Sequence, residues 1–213
     1  DAKDYDGFSE EARVKDLALD PSAFPNAYDL QQEANLGRLL TTTTMGDAND
    51  DGLYEEIYVY GGRSFAIMDG NTGKIIYDSG NDIAVRTAFS GFFNWNEDAG
   101  SFDDRSDDKG AEPEAIAVGE IDGKTYAFVG LERQGGIMMY DISGIIKPKF
   151  VGYFNGRNFF GDGTKMTGGD ISPESLVFIP ADKTPPAYQE ANEGPLLIGA
   201  YELSGSTAVY QIK

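Results

Sequence analysis

The 213-residue chain contains no cysteine and no histidine. Without cysteine there is no disulfide, no thiolate metal site and no thiol nucleophile. Without histidine there is no Ser-His-Asp triad, no imidazole ligand and no imidazole general base. Basic residues are also scarce: 17 Lys and Arg stand against 36 Asp and Glu, for a formal charge of −19. This balance disfavours nucleic-acid backbones and anionic membrane surfaces as partners, since both need Lys and Arg to displace counterions. No apolar run reaches the roughly 18 residues a membrane span requires. Any catalysis would fall to carboxylates and a bound metal. The chain opens on Asp1 rather than Met, which reads as a processed or truncated product.

What is present is acid, arranged in patterns. In Asp47-Ala48-Asn49-Asp50-Asp51-Gly52-Leu53-Tyr54-Glu55, oxygen-bearing side chains recur at every second residue before a glycine, and one more acid follows. A hard cation such as Ca²⁺ takes six to eight oxygens, and a short loop supplies them by curling alternate side chains inward. Asp47, Asn49, Asp51, the Leu53 carbonyl and Glu55 are the candidate ligands, with Gly52 at the sharp turn. An EF-hand needs a glutamate at its twelfth position, where Tyr58 stands, and the following Ile57-Tyr58-Val59-Tyr60 reads as a strand. The pattern is thus that of the shorter calcium loop between β-strands. A merely solvated acidic turn is the other reading.

The chain also resembles itself. Tyr126 to Ile142 aligns with Leu196 to Ile212, so that Glu132 matches Glu202, Gly135 matches Gly205 and Tyr140 matches Tyr210. Upstream, Pro113-Glu114 matches Pro173-Glu174, and the length difference falls in the polar loop from Asp182 to Gly194. Stacked structural units tolerate insertions confined to one loop. A weaker third copy runs from Ile57 to Asp69 and continues into the hairpin phrase Met68 to Asp78. In the best copy the expected strands are Ala115–Glu120, Thr125–Leu131, Ile137–Ile142 and Lys149–Phe154, with Asp122-Gly123 as a two-residue hairpin turn. Four short antiparallel strands in about forty residues are a blade of a β-propeller.

The expected fold is therefore all-β. Residues 1–40 form an N-terminal segment with part of a blade and a short helix, and residues 41–213 form about three blades. Ser9 to Leu17 and Ala27 to Leu39 are the only helical candidates, the latter centred on Asp29 to Asn35. The last blade lacks a fourth strand after Gln211-Ile212-Lys213, so the missing part of the ring or a second polypeptide is an expected partner.

Three stretches carry a family resemblance: Tyr5 to Val14, Phe102 to Glu114, and Thr125 to Arg133. Together they resemble the choice-of-anchor I family of secreted and cell-surface proteins, which includes an animal mesenchyme cell-surface glycoprotein, with this chain as the C-terminal half. The resemblance implies a seven-bladed propeller, secretion and metal binding. It implies no settled activity, although some members carry an alkaline-phosphatase-like label.

A second acidic site is a candidate on its own terms. Asp103, Asp104, Asp107, Asp108, Glu112 and Glu114 crowd into twelve residues, and Glu132, Glu174 and Glu202 recur near them in the aligned copies. Converging carboxylates repel unless something neutralises them. Arg105, Lys109 and Arg133 would give a salt-bridge network; a metal would give a functional pocket. Elsewhere, Gly161-Asp162-Gly163-Thr164-Lys165 lacks Walker spacing, and Ser106 and Ser172 have no base to activate them. Phe89 to Asn96 reads as core or as an aromatic contact surface. Two functions follow. One is a calcium-stabilised extracellular binding module with a protein or glycan partner and no enzymatic role. The other is a metal-dependent phosphoesterase built on residues 103–114.

Overall fold

A computed structural model describes residues 8–97, 100, 102–189 and 194–213. Tyr5 to Gly7 of the opening motif and residues 190–193 of the polar insertion lie outside the described residues. The chain divides into two compact units, one of residues 1–62 with 105–109, the other of residues 63–104 with 110–213.

The first unit holds β1 (Glu11–Arg13) and β2 (Leu40–Thr42), paired antiparallel. A 3₁₀ turn over Val14–Asp16 follows β1. The expected helix from Ser9 to Leu17 is thus a strand and a turn: pairing with β2 outweighs local propensity there. In the second candidate, only α1 (Ala27–Leu30) is helical. Expected residues 31–35 leave the helix because the Asn35 amide donates to the Asp29 carbonyl at 2.6 Å, pulling the chain back on itself. Gly37 then presses against the Gln31 and Gln32 carbonyls, where a Cβ would have no room. Ile57 to Tyr60, expected as a strand, is irregular; the Thr42 N–H donates to the Tyr58 carbonyl at 3.1 Å, and Tyr58 and Val59 stay exposed.

The second unit is three antiparallel sheets. β3 (Ala66–Met68) and β4 (Ile75–Asp78) form a hairpin. Its turn is held by the Asp69 carboxylate, which accepts from the N–H groups of Asn71 and Thr72. The helix α2 (Asp82–Ala88) follows and had no expectation behind it. β5 (Pro113–Ile121), β6 (Lys124–Leu131), β7 (Ile137–Asp141) and β8 (Lys149–Phe154) form a four-stranded meander in that order. Each lies within two residues of its expected bounds. Asp122 and Gly123, at φ 51° and 74°, make the left-handed two-residue turn that matches strand twist. β9 (Pro173–Ile179), β10 (Leu196–Tyr201) and β11 (Ser206–Gln211) form a three-stranded sheet, with the short helix α3 (Pro186–Gln189) in the insertion.

The central strands of the meander are buried on both faces. On one, Val129, Leu131, Met138 and Tyr140 pack with Phe65 and Ile83 of the β3–β4 and α2 region. On the other, Ala115, Ala117, Phe128 and Ile137 pack against Leu176 and Leu197 of the three-stranded sheet. Alternation along β6 and β7 supplies both faces from the same strands, while β5 buries only the Ala115 and Ala117 side and leaves Ile116 and Val118 exposed. The Phe89–Asn96 stretch divides: Phe92 stacks on Phe159 at 4.0 Å and Trp95 meets the same ring edge-on, while Phe89 is solvent-exposed.

Candidate metal loop and glutamate cluster

The acidic loop of the first unit is closed by its own side chains. Asp47 accepts from the N–H groups of Asp51 and Gly52 at 3.1 and 2.8 Å. Asn49 Oδ1 accepts from Asp51 N–H at 2.9 Å, and Asp51 accepts from Leu53 N–H at 2.8 Å. Glu55 reaches back to Ala48 N–H and the Asn49 amide. Left-handed residues at Asp50 and Gly52, with φ 57° and 87°, turn the chain tightly enough for this. Gly46 carries the strand-side hydrogen bonds, its carbonyl accepting from Glu55 and Glu56. A parallel bridge between Leu19 and Tyr54 anchors the far end.

Asp47, Asp51 and Glu55 consequently offer carboxylate oxygens all within 4.8 Å of one another. The donor set is wholly oxygen and carries three negative charges, which suits a hard divalent cation. The described ion pairs of the chain do not involve these three residues. Four of the five expected ligands are thus brought into one turn by their side chains, and Leu53 is held there by its backbone.

The second candidate cluster splits. Asp107 pairs with Arg13 and Arg38 at 3.1 and 2.7 Å, within the first unit. Asp108 pairs with Arg105 at 2.8 Å. Asp103 takes a left-handed turn and donates its N–H to the Phe93 carbonyl, Asp104 lies exposed beside it, and Lys109 is half-buried. Among the described residues, none of the four aspartates joins a group of converging carboxylates. The run that looked continuous in sequence is divided between separate tasks.

The glutamates converge instead, and two β-bulges explain why. In the pairing of β5 with β6 the register shifts between Pro113 and Ala115, which leaves Glu114 as the extra residue. In the pairing of β9 with β10 it shifts at Ala200/Tyr201, and Glu174 is the extra residue. A bulge re-aims the side chain it releases. Just before each proline stands a non-glycine residue in left-handed conformation, Glu112 at φ 53° and Ser172 at φ 61°. Each accepts, through its carbonyl, the N–H of the glutamate that follows the partner strand: Glu132 to Glu112 at 2.7 Å, Glu202 to Ser172 at 2.8 Å. The same device thus places Glu132 and Glu202 at equivalent points.

Glu132 is the hub. Its carboxyl lies within 4.8 Å of those of Glu112 and Glu114, and also of Glu174 and Glu202. Burial, a hydrogen bond with Glu114 and the charges of Glu112, Glu114 and Glu174 push its pKa up to about 9. Glu174 is also raised, by burial first and then by the Glu114 charge. Arg133 pairs with Glu97, with Glu112 at 3.2 Å and with Glu132 at 3.1 Å. One guanidinium spread over three carboxylates leaves excess negative charge, so a proton on Glu132 remains favourable. Around this core, Ser172 Oγ donates to Glu97 at 2.7 Å, and Arg157 donates to the carbonyls of Arg133 and Glu97. Glu97 and Arg157 had no part in the sequence expectation, and Ser172 was weighed there only as a nucleophile. The matched pair Glu112-Pro113-Glu114 and Ser172-Pro173-Glu174 carried a signal for Ser172; Glu97 had none.

Fold and site together define an acidic antiparallel β protein with an oxygen-lined loop and a charge-dense carboxylate hub. Residues 1–145 match the choice-of-anchor I domain, and the chain belongs to that family. It is 28% identical to Gigasin-3a of Magallana gigas over 199 residues, which cover 86% of this chain and 67% of that protein. No solved structure shows a significant match. Family membership makes this an extracellular or surface-associated protein. No helix among the described residues is long and apolar enough to cross a membrane.

Proposed function

We propose that the chain is a calcium-stabilised portion of an extracellular β-propeller that serves as a non-enzymatic binding module for a protein or glycan partner. The observation that carries the calcium part is the convergence of Asp47, Asp51 and Glu55, with Asn49 beside them, on one turn. Those residues would hold the ion, which would supply cross-linking of the loop rather than chemistry. The propeller part rests on the four-stranded meander packed face to face with a second sheet of the same bulge and strand pattern, the arrangement of neighbouring blades. The glutamate hub reads as an internally neutralised network, served by Arg133 and by a proton on Glu132. The alternative, a metal-dependent phosphoesterase, would rest on Glu112 and Glu114 with Glu132, since Asp107 and Asp108 pair with Arg13, Arg38 and Arg105.

The test is thermal unfolding with and without Ca²⁺, with calorimetric titration alongside. An ion that binds only the folded state adds about 2.7 kcal/mol at a hundredfold excess over Kd. A rise in Tm that Asp47→Ala and Asp51→Ala abolish supports the reading. Identical melting with Ca²⁺ and with EDTA removes the calcium part.

A further inference from the structure

The Phe89–Asn96 stretch and the loop after β8 bring four aromatic rings together. Phe92 stacks on Phe159 at 4.0 Å, their planes 6° from parallel, and Trp95 meets both rings edge-on at 5.4 and 5.9 Å. Phe160 stands nearly perpendicular to Phe92, at 79° and 5.8 Å, and is 89% exposed. Phe92 and Phe160 thus form a corner whose outer ring is bare. Burying such a ring is favourable, so one held in water beside other rings marks a contact surface.

The cluster already takes one cation. The Arg157 guanidinium lies 4.7 Å from the centre of the Phe159 ring, and the fold repeats the contact where Arg86 lies 3.7 Å from the centre of Phe150. The ring faces are electron-rich and attract guanidinium and ammonium groups. Arg157 also donates to the carbonyls of Asn96 and Glu97, which ties the cluster to the glutamate hub. There Glu97, Glu112, Glu114, Glu132, Glu174 and Glu202 outnumber Arg133 and Arg157 even with Glu132 protonated, and Glu114, Glu174 and Glu202 are exposed. Bare rings beside an acidic rim are complementary to basic side chains. A neutral sugar would gain from the rings and nothing from the charge. A second copy of the chain is a poor source of the cations, because its 36 acids outnumber 17 bases and two charges of −19 would have to meet.

We propose that the Phe92–Phe160 corner binds an arginine side chain of a separate, basic polypeptide, with neighbouring basic residues of that segment over Glu114, Glu174 and Glu202. The inference rests on the binding-module part of the function proposed above and names its class of partner. The ion loop plays no part in it.

The experiment titrates the full chain, in EDTA, with the synthetic peptide Gly-Arg-Gly-Arg-Gly and with its citrulline counterpart, which keeps the shape and drops the charge. Trp95 is the one tryptophan of the sequence, so its emission reports on the cluster directly. The expected result is a saturable change in that emission with the arginine peptide, weakened by salt. The citrulline peptide should bind at least tenfold more weakly. Phe160→Leu keeps the charge and an apolar side chain but removes the ring, so binding should weaken about three- to fivefold while Tm holds. No saturable change at millimolar peptide, equal binding of the citrulline peptide, or equal binding by Phe160→Leu would each overturn the proposal. A response to neutral cellohexaose in place of the peptide would also overturn it, while leaving the binding module standing with a glycan as its partner.

Discussion

Glu114 and Glu132 face each other across the bulged start of β5, close enough to share a proton, and burial keeps that proton on Glu132 well above the ordinary carboxyl range. The consequence is a stability that depends on pH in the direction opposite to a salt-bridged acid. In the unfolded chain Glu132 titrates near the usual 4.5, while in the folded chain it does so at about 9. Between those values the folded state binds more protons, so stability falls as pH rises. The contribution is complete below the unfolded value and gone above the folded one. Chemical denaturation at pH 5, 7 and 9 should show this decline, amounting to a few kcal/mol at most. Glu132→Gln keeps the shape and removes the proton, so its profile should be flatter. A variant whose decline matches that of the parent would place the titration elsewhere.

The Arg133 guanidinium meets Glu97, Glu112 and Glu132 together. Removing one partner from a buried charge cluster leaves the others uncompensated, at a cost of about 3–5 kcal/mol. Arg133→Met should therefore unfold at markedly lower denaturant, most severely at high pH. Arg133→Lys should recover little, since a point charge cannot reach three carboxylates as a planar fork does. Equal midpoints for the Lys variant and the parent would show that charge alone, without geometry, holds the hub.

The strands of the meander were legible because each is a short apolar run bounded by Gly or Asp-Gly, and the Asp122-Gly123 turn sets register. The glutamate hub was half legible. Glu114, Glu132, Glu174 and Glu202 recur at matched positions, but the bulges that aim Glu114 and Glu174 arise from pairing, which no local pattern displays. Asp107 was read with the wrong neighbours: its partners Arg13 and Arg38 lie some seventy or more positions away, and adjacency in sequence hid the division. Asp108 does pair with Arg105, three residues before it. The strand at Glu11–Arg13 was missed for the same reason: its partner Leu40–Thr42 lies beyond any local window. The helix Asp82–Ala88 is too short to establish a helical period.

Gly52 separates backbone strain from crowding in the acidic loop. A Cβ there would meet nothing within 4 Å, yet φ is +87°. Gly52→Ala should thus cost about 1 kcal/mol through conformation alone, and in calcium the loss should deepen if the loop holds the ion. Asp51→Asn keeps the hydrogen bond to Leu53 N–H but drops one charge, so it should barely change the melting of the ion-free protein. Its Ca²⁺ affinity should fall by about an order of magnitude, since charge count tunes such sites. Calorimetry on both variants separates the two effects.

Ser172 makes a sharper pair of predictions, because one residue carries both strain and a hydrogen bond. It is fully buried, left-handed at φ 61°, and donates to Glu97 at 2.7 Å. Ser172→Ala keeps the strained backbone and loses a bond to a charged acceptor, worth about 1.5–3 kcal/mol. Ser172→Gly loses the same bond but relieves a left-handed conformation that costs a side-chain-bearing residue about 1 kcal/mol. Glycine should therefore be the milder change, by about 1 kcal/mol in chemical denaturation, although it normally destabilises a strand margin. Equal losses would mean that the surrounding bulge, rather than Ser172 itself, bears the strain. That result would move the origin of the Glu174 orientation from its preceding residue to the β9–β10 pairing.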